Sequence, residues 1–228
     1  MWNPDHPMPA DRRKVVKILD NLPRGRIVRL GGMTDPFQPM EDKYHCTEWL
    51  ISELNKRGIG YLIVTKGARV TECKTLHPQL AHIQISYTYT EGYAPSNYEQ
   101  ASTPEDRLKA AQALLDKGYD VQLRLSPYVP SFVDINKVLD SPVNKVLIEF
   151  LRINPFIKKN MPYMDFKNWT ESVGGYSHLP LSKKMEYLQP FIESGKRITV
   201  CEDHPLHYEY FQKHVNANPD DCCDLRLK

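Results

Sequence analysis

Arg26-Ile27-Val28-Arg29-Leu30-Gly31-Gly32-Met33-Thr34-Asp35-Pro36-Phe37-Gln38-Pro39-Met40-Glu41 is the stretch on which the fold reading turns. Its apolar run, 27–30, reads as a short buried strand. The run stops at two glycines, which let backbone approach a ligand with no Cβ in the way. A hydroxyl, a carboxylate and two prolines follow and stiffen the exit. Polar groups gathered at the C-terminal end of a parallel strand are where α/β proteins place ligand sites. Gly31, Gly32, Thr34 and Asp35 are therefore the first candidate site residues.

Upstream, Val15, Ile18, Leu19 and Leu22 share one helical face, so a helix is expected over 10–22, closed by Pro23 and Gly25. Downstream, helical and strand signals alternate. Helix 43–57 ends at Gly58 and is followed by strand 61–66; a short helix between 69 and 81 precedes strand 83–87. Thr103-Pro104-Glu105-Asp106 is a strong helix start, with an N-cap hydroxyl, proline at the first position and acids at the positive end of the dipole. That helix reaches Gly118, and strands 121–125 and 146–151 flank a short helix at 133–139. Helix 182–192, strand 198–201 and helix 206–215 complete the series. Apolar strands separated by amphipathic helices mean a parallel sheet with right-handed crossovers. Nearly every strand ends in polar or Gly/Pro residues, which favours a partial (βα) TIM-like barrel over a doubly wound sheet. The chain reads as a single domain over 1–228, with a long loop excursion at 154–180 capping the barrel mouth and a C-terminal tail at 216–228.

The 228 residues, 41% hydrophobic, suffice for one full core. Thirty Lys and Arg against 28 Asp and Glu leave a formal charge of +2, so no global basic field argues for nucleic acid. No apolar run approaches the roughly 18 residues of a membrane span, and the N-terminus lacks the pattern of a signal peptide. A cytoplasmic location and no membrane partner are expected. Five cysteines at irregular spacing fit reduced thiols or metal ligands better than a disulfide framework.

Read in order, the strand ends Gly-Gly-Met-Thr-Asp-Pro-Phe-Gln-Pro-Met-Glu (31–41), Ile-Val-Thr-Lys (63–66), Ile-Ser-Tyr-Thr (85–88), Arg-Leu-Ser-Pro (124–127) and Cys-Glu-Asp-His-Pro (201–205), with Ser-Thr-Pro-Glu-Asp-Arg-Leu (102–108), resemble the radical S-adenosylmethionine (SAM) superfamily, in its spore photoproduct lyase-like branch. The resemblance implies SAM as cofactor. It places Thr34 and Asp35 at the SAM amino group, Lys66 at its carboxylate, Ser86 at the ribose and Ser126 near the adenine. It also implies a [4Fe–4S] cluster held by three thiolates spaced Cys-x3-Cys-x2-Cys. No such spacing occurs here. The expectation is a barrel lacking its first strand and cluster loop, with an open edge beside 27–30 that is an aggregation hazard unless something covers it. An N-terminal complementing segment or a partner chain would supply the rest.

Cys201, His204, Cys222 and Cys223, with His207 and His214 nearby in sequence, form a candidate metal set, although adjacent cysteines rarely share one ion. A buried Cys201 and metal-free tail thiols are the alternative. Glu41 is open between capping loop amides and touching a ligand. Tyr87, Tyr89, Tyr93 and Tyr98 either pack under the rim or stack on a substrate ring. Three functions follow: a radical SAM enzyme completed by a cluster-bearing segment, with a nucleic-acid lesion as one candidate substrate; a non-catalytic SAM- or nucleotide-binding descendant; or a structural partner that pairs through its open edge.

Overall fold

The computed structural model describes residues 8–201 and 204–225. In chain order they form α1 (Arg12–Asp20), β1 (Val28–Leu30), α2 (Glu41–Tyr44), α3 (Cys46–Lys56), β2 (Tyr61–Thr65), β3 (Ala81–Ser86), α4 (Pro104–Asp116) and β4 (Asp120–Tyr128). There follow α5 (Ile135–Leu139), β5 (Lys145–Phe150), α6 (Pro155–Asn160), β6 (Glu171–Val173), β7 (Tyr176–His178), α7 (Leu181–Glu193), β8 (Arg197–Val200) and α8 (Pro205–His214). Local chemistry sets the starts. Asp11 accepts from the amides of Arg13 and Lys14 at α1, and Thr103 accepts from Asp106 at α4, with Pro104 in the first turn.

Six strands pair in parallel in the order β1-β2-β3-β4-β5-β8, and the sheet does not close. This is the expected partial TIM-like barrel. With strands in sequence order, right-handed crossovers put the connecting helices on one face. That face carries Ile63, Ile83, Ile85, Val121, Leu123, Val146, Ile148, Ile198 and Val200, packed in one core with Leu19, Ile51, Leu54, Ala111, Leu114, Leu188, Phe191 and Phe211 from the helices.

The alternate positions line the concave face, and most of them on β3, β4, β5 and β8 are polar. Gln84 Nε2 donates to Gln122 Oε1 (2.7 Å), and Arg124 reaches Gln84 Oε1 at 3.1 Å. At the N-terminal end, His82 Nδ1 meets Asp120 at 2.7 Å, and Lys145 Nζ lies 2.8 Å from the same carboxylate. The segment after α8 closes this face. Asn216 pairs its side chain with both backbone groups of Val200, and Ala217 N donates to Ile198 O, so the outer edge of β8 is covered. Residues 221–225 then enter the concavity. Asp224, 1% exposed, pairs with Arg197 and accepts from Lys145 through its carbonyl. Cys223 and Leu225 leave only about 10 Å³ between the tail and the inner strand residues. The edge of β1 has no strand beyond it among the described residues.

Three expectations are corrected. The helix over 43–57 breaks at His45, whose φ of 47° separates α2 from α3. Between 69 and 81 only a 3₁₀ segment forms, Ala68–Glu72. The excursion at 154–180 is not a plain loop. Asn154 caps α6 with Pro155 in its first turn, and Gly174-Gly175, both at positive φ, turn the hairpin β6–β7. No helix among the described residues is long and apolar enough to cross a membrane.

Burial alone would raise the carboxyl of Asp120, but the bonds from His82 and Lys145 outweigh it and hold it at about 2, against an ordinary 3.8. A depressed folded-state value stabilises the fold above the unfolded value and is lost as pH falls through about 4 toward 2, a contribution of roughly 2 kcal/mol. Urea unfolding at about pH 5 and about pH 2.5 should show the wild type losing more stability than Asp120→Asn by most of that amount; equal losses would refute the assignment.

Candidate functional site

The glycine loop after β1 is built by its own residues. Gly31 has φ 98°, and a Cβ there would lie 2.1 Å from Val64 O, so the loop crosses β2 where only glycine fits. Asp35 then fastens the loop to the end of β2. Its carboxylate accepts from Thr65 Oγ1 (2.7 Å), Lys66 N (2.7 Å) and Phe37 N (2.8 Å). Thr47 Oγ1 donates to Pro36 O at 2.6 Å. Glu41 accepts from the amides of Cys46, Thr47 and Glu48, capping α3, which settles its role as a loop and helix binder. Gly32, Met33 and Thr34 stay exposed at the tip, and nothing lies within 4 Å of a Cβ built on Gly32.

Lys66 extends from the end of β2 along the rim and pairs with Glu99, its side chain 36% exposed. Glu99 is a hub that the sequence reading missed. It also accepts from Thr88 Oγ1 at 2.8 Å and meets Arg107 at 2.5 Å. Arg107, wholly buried on α4, donates to Ser102 O and to Ser86 O. Burial pushes the Glu99 carboxyl up, but Lys66 and Arg107 prevail and hold it below the ordinary range. Ser86 lies buried on the inner face of β3. Ser126, before a cis bond to Pro127, donates to Glu149 Oε2 at 2.6 Å, and Arg124 joins the same oxygen at 2.8 Å. Arg124 and Glu149 are the other members missed. Their signal was the inward register of β4 and β5, unreadable until the sheet's faces were assigned.

The strand ends thus place Thr34, Lys66, Ser86 and Ser126 along one rim. Tyr87 is buried, and Tyr98 packs edge-on to Tyr89 and Phe132 in a small core beneath the rim with Val129, Leu151 and Ile153. Tyr93 stays half exposed. The candidate metal set divides. Cys201, Cys222 and Cys223 face the concavity, with Cys201 and Cys222 sulfurs 3.6 Å apart. Its hydrogen bond to Cys222 holds the Cys223 thiol at about 6, with Arg124 adding to the effect. His204 instead joins His207 and Glu171.

The half-barrel is similar to that of solved structures. One is spore photoproduct lyase with a dinucleoside spore photoproduct (TM-score 0.56, 15% identity, 83% of this chain and 64% of that one). Another is a variant of that enzyme with bound AdoMet and the dinucleoside (TM-score 0.56, 14% identity, the same coverage). SuiB of Streptococcus suis bound to S-adenosylmethionine aligns at TM-score 0.46 and 12% identity, over 83% of this chain and 44% of that one. The chain therefore spans less than two thirds of the length of spore photoproduct lyase, and the likeness is one of fold. No protein-family model matches the chain, and no curated protein matches it in sequence.

The residues at the rim suit SAM in kind: a half-exposed ammonium at Lys66, hydroxyls at Thr34 and Ser126, and the Glu149 carboxylate. They do not suit a [4Fe–4S] cluster. Each ligating thiolate takes its own iron, whereas Cys201 and Cys222 are in sulfur–sulfur contact, and Cys46 and Cys73 are bonded to Tyr44 O and Thr75.

Two substitutions check this geometry. Gly31→Ala should cost about 2 kcal/mol or more in urea unfolding, while Gly32→Ala stays within about 0.5 kcal/mol. Glu99→Gln leaves buried Arg107 without its counter-charge and should cost roughly 3 kcal/mol or more; a loss under about 1 kcal/mol would remove Glu99 from the centre of the rim.

Proposed function

We propose that this chain is the SAM-binding part of a radical SAM-type protein, with the cluster ligands supplied by a segment or partner chain that docks beside β1. The observation that carries this reading is the rim itself. A glycine loop locked over β2, an ammonium at the end of β2 and the Ser126–Glu149 pair at the ends of β4 and β5 stand on an open six-stranded barrel similar in fold to that of spore photoproduct lyase. Polar groups at the C-terminal ends of parallel strands are where such folds hold small ligands.

In this reading Lys66 takes the SAM carboxylate, moving from Glu99 or sharing it. The backbone of Gly32–Thr34 takes the amino group, because Asp35 already accepts three internal hydrogen bonds. Ser86, expected at the ribose, is buried on the inner face of β3, so in this reading Ser126, expected near the adenine, and Glu149 receive the ribose hydroxyls. Reductive SAM cleavage and hydrogen abstraction by the 5′-deoxyadenosyl radical belong to the completed assembly. The open edge of β1 favours a strand of the complementing segment as the piece that docks.

Calorimetric titration of the whole chain with SAM tests the reading. Binding is expected without iron, and Lys66→Ala should weaken it by roughly tenfold, the scale of a hydrogen bond to a charged group, with Lys158→Ala unchanged. Equal affinity in both variants would overturn the placement. Anaerobic iron–sulfur reconstitution should leave this chain colourless; a cluster on the chain alone would overturn the need for a complementing segment.

A further inference from the structure

We propose that Glu171, His204 and His207 form a zinc-type divalent metal site at the β8 end of the barrel rim, separate from the Lys66 rim. His204 stands at the N-cap position of α8 with no capping hydrogen bond from its side chain, and His207 follows three residues on in the first turn, so both rings lie on one side of the helix start. They stack at 3.9 Å with 13° between their planes, each residue 5% exposed. Glu171 opens β6 and brings its Oε2 to 2.9 Å from His207 Nε2 and 3.7 Å from His204 Nε2. The three ligand atoms lie within 4.8 Å of one another, the one such group of His, Cys, Asp and Glu among the described residues.

The unsatisfied member points to a ligand. His204 Nε2, the ring atom on the Glu171 side, is too far from that carboxylate to hydrogen-bond it, and on the far edge of the ring Nδ1 has no hydrogen-bond partner among the described residues. Buried imidazole nitrogens are normally satisfied. Ligands about 2.0–2.1 Å from a tetrahedral zinc stand about 3.3 Å apart, and the separations of 2.9 and 3.7 Å bracket that value. Two imidazoles and a carboxylate on one side of an ion leave a further position open, and the Glu171 side chain, 38% exposed, gives access to it. Lys184 Nζ, 3.0 Å from His207 Nδ1, fixes the other edge of that ring. As the ion enters, the Nε2 proton of His207 leaves to solvent and Lys184 passes one proton to Nδ1, so the ligating ring stays a neutral imidazole and Lys184 becomes a neutral amine. The metal-free alternative is a hydrogen-bonded relay from Lys184 through His207 to Glu171.

The test is Co²⁺ titration of the tag-free whole chain, followed by visible absorption, with Zn²⁺ as competitor. One equivalent should bind with ligand-field bands and no sulfur-to-cobalt charge-transfer band, and Zn²⁺ should displace it. His204→Ala and Glu171→Gln should each weaken binding by about tenfold or more, and the triple variant Cys201→Ser, Cys222→Ser, Cys223→Ser should bind as the wild type does. Glu171→Gln, on a half-exposed hairpin, keeps the test open if His204→Ala does not fold. Binding lost with the cysteines would move the ion to the thiols. No uptake by a chain with native circular dichroism would leave the relay alone. Either result overturns the site.

Discussion

The inner face of an incomplete barrel has to be closed by something other than its helices, and here that constraint falls on a few buried charges. In-order parallel strands put the connecting helices outside. The inner positions of β3, β4, β5 and β8 carry His82, Gln84, Asp120, Arg124, Lys145 and Arg197, which no apolar layer could cover without leaving polar groups unpaired. Asp224 supplies the missing acceptor. It sits in the left-handed region at φ 50°, meets Arg197 through both carboxylate oxygens and reaches Lys145 as well. The same segment satisfies the edge of β8 on its way in. One excursion of the chain therefore closes an edge and fills a core, while the β1 edge has no such cover among the described residues.

The rim depends on a second buried charge. Arg107 comes from a helix and Glu99 from the loop before it, yet they meet beneath the ends of β2 and β3 and position Lys66, Thr88 and Ser86. Removing one partner of such a pair is costly because the other stays desolvated. The rim is thereby preorganised: its partly exposed ammonium is already aimed by a carboxylate that is itself held by Thr88 and Arg107.

Sheet order, strand ends and most helices were legible because they rest on local signals: apolar runs of four to six residues, the Thr103 cap, a closing glycine. The inner-face network was not legible, since Gln84, Arg124 and Glu149 look like polar interruptions of strands until the register shows that they face each other. The hairpin in the excursion had its Gly-Gly turn in plain view, but its strands are three residues long, too short for period-two patterning to stand out. The sequence grouped His204 with Cys201, and the structure sets it beside His207 and Glu171. Proximity in sequence to Cys201 suggested a shared ion, whereas the N-terminus of α8 turns the ring toward His207 and the hairpin. Only tertiary structure could bring in Glu171, which is 33 residues away from His204 in the chain.

The stretch 31–41 also shows what a motif can and cannot say. Its glycine is required by the Val64 carbonyl, its aspartate by the end of β2, and its glutamate by the amides of α3. Each of these is an architectural demand of placing a loop over the next strand of a parallel barrel, and any sequence that meets those demands will be spelled much like this one. The spelling is accordingly strong evidence for the fold and weak evidence for chemistry. What is left within a ligand's reach is the exposed backbone between Gly32 and Thr34, together with Lys66, paired with Glu99, and the Ser126–Glu149 pair across the rim. A function for this face has to be argued from those groups, because they are the ones the fold does not itself need.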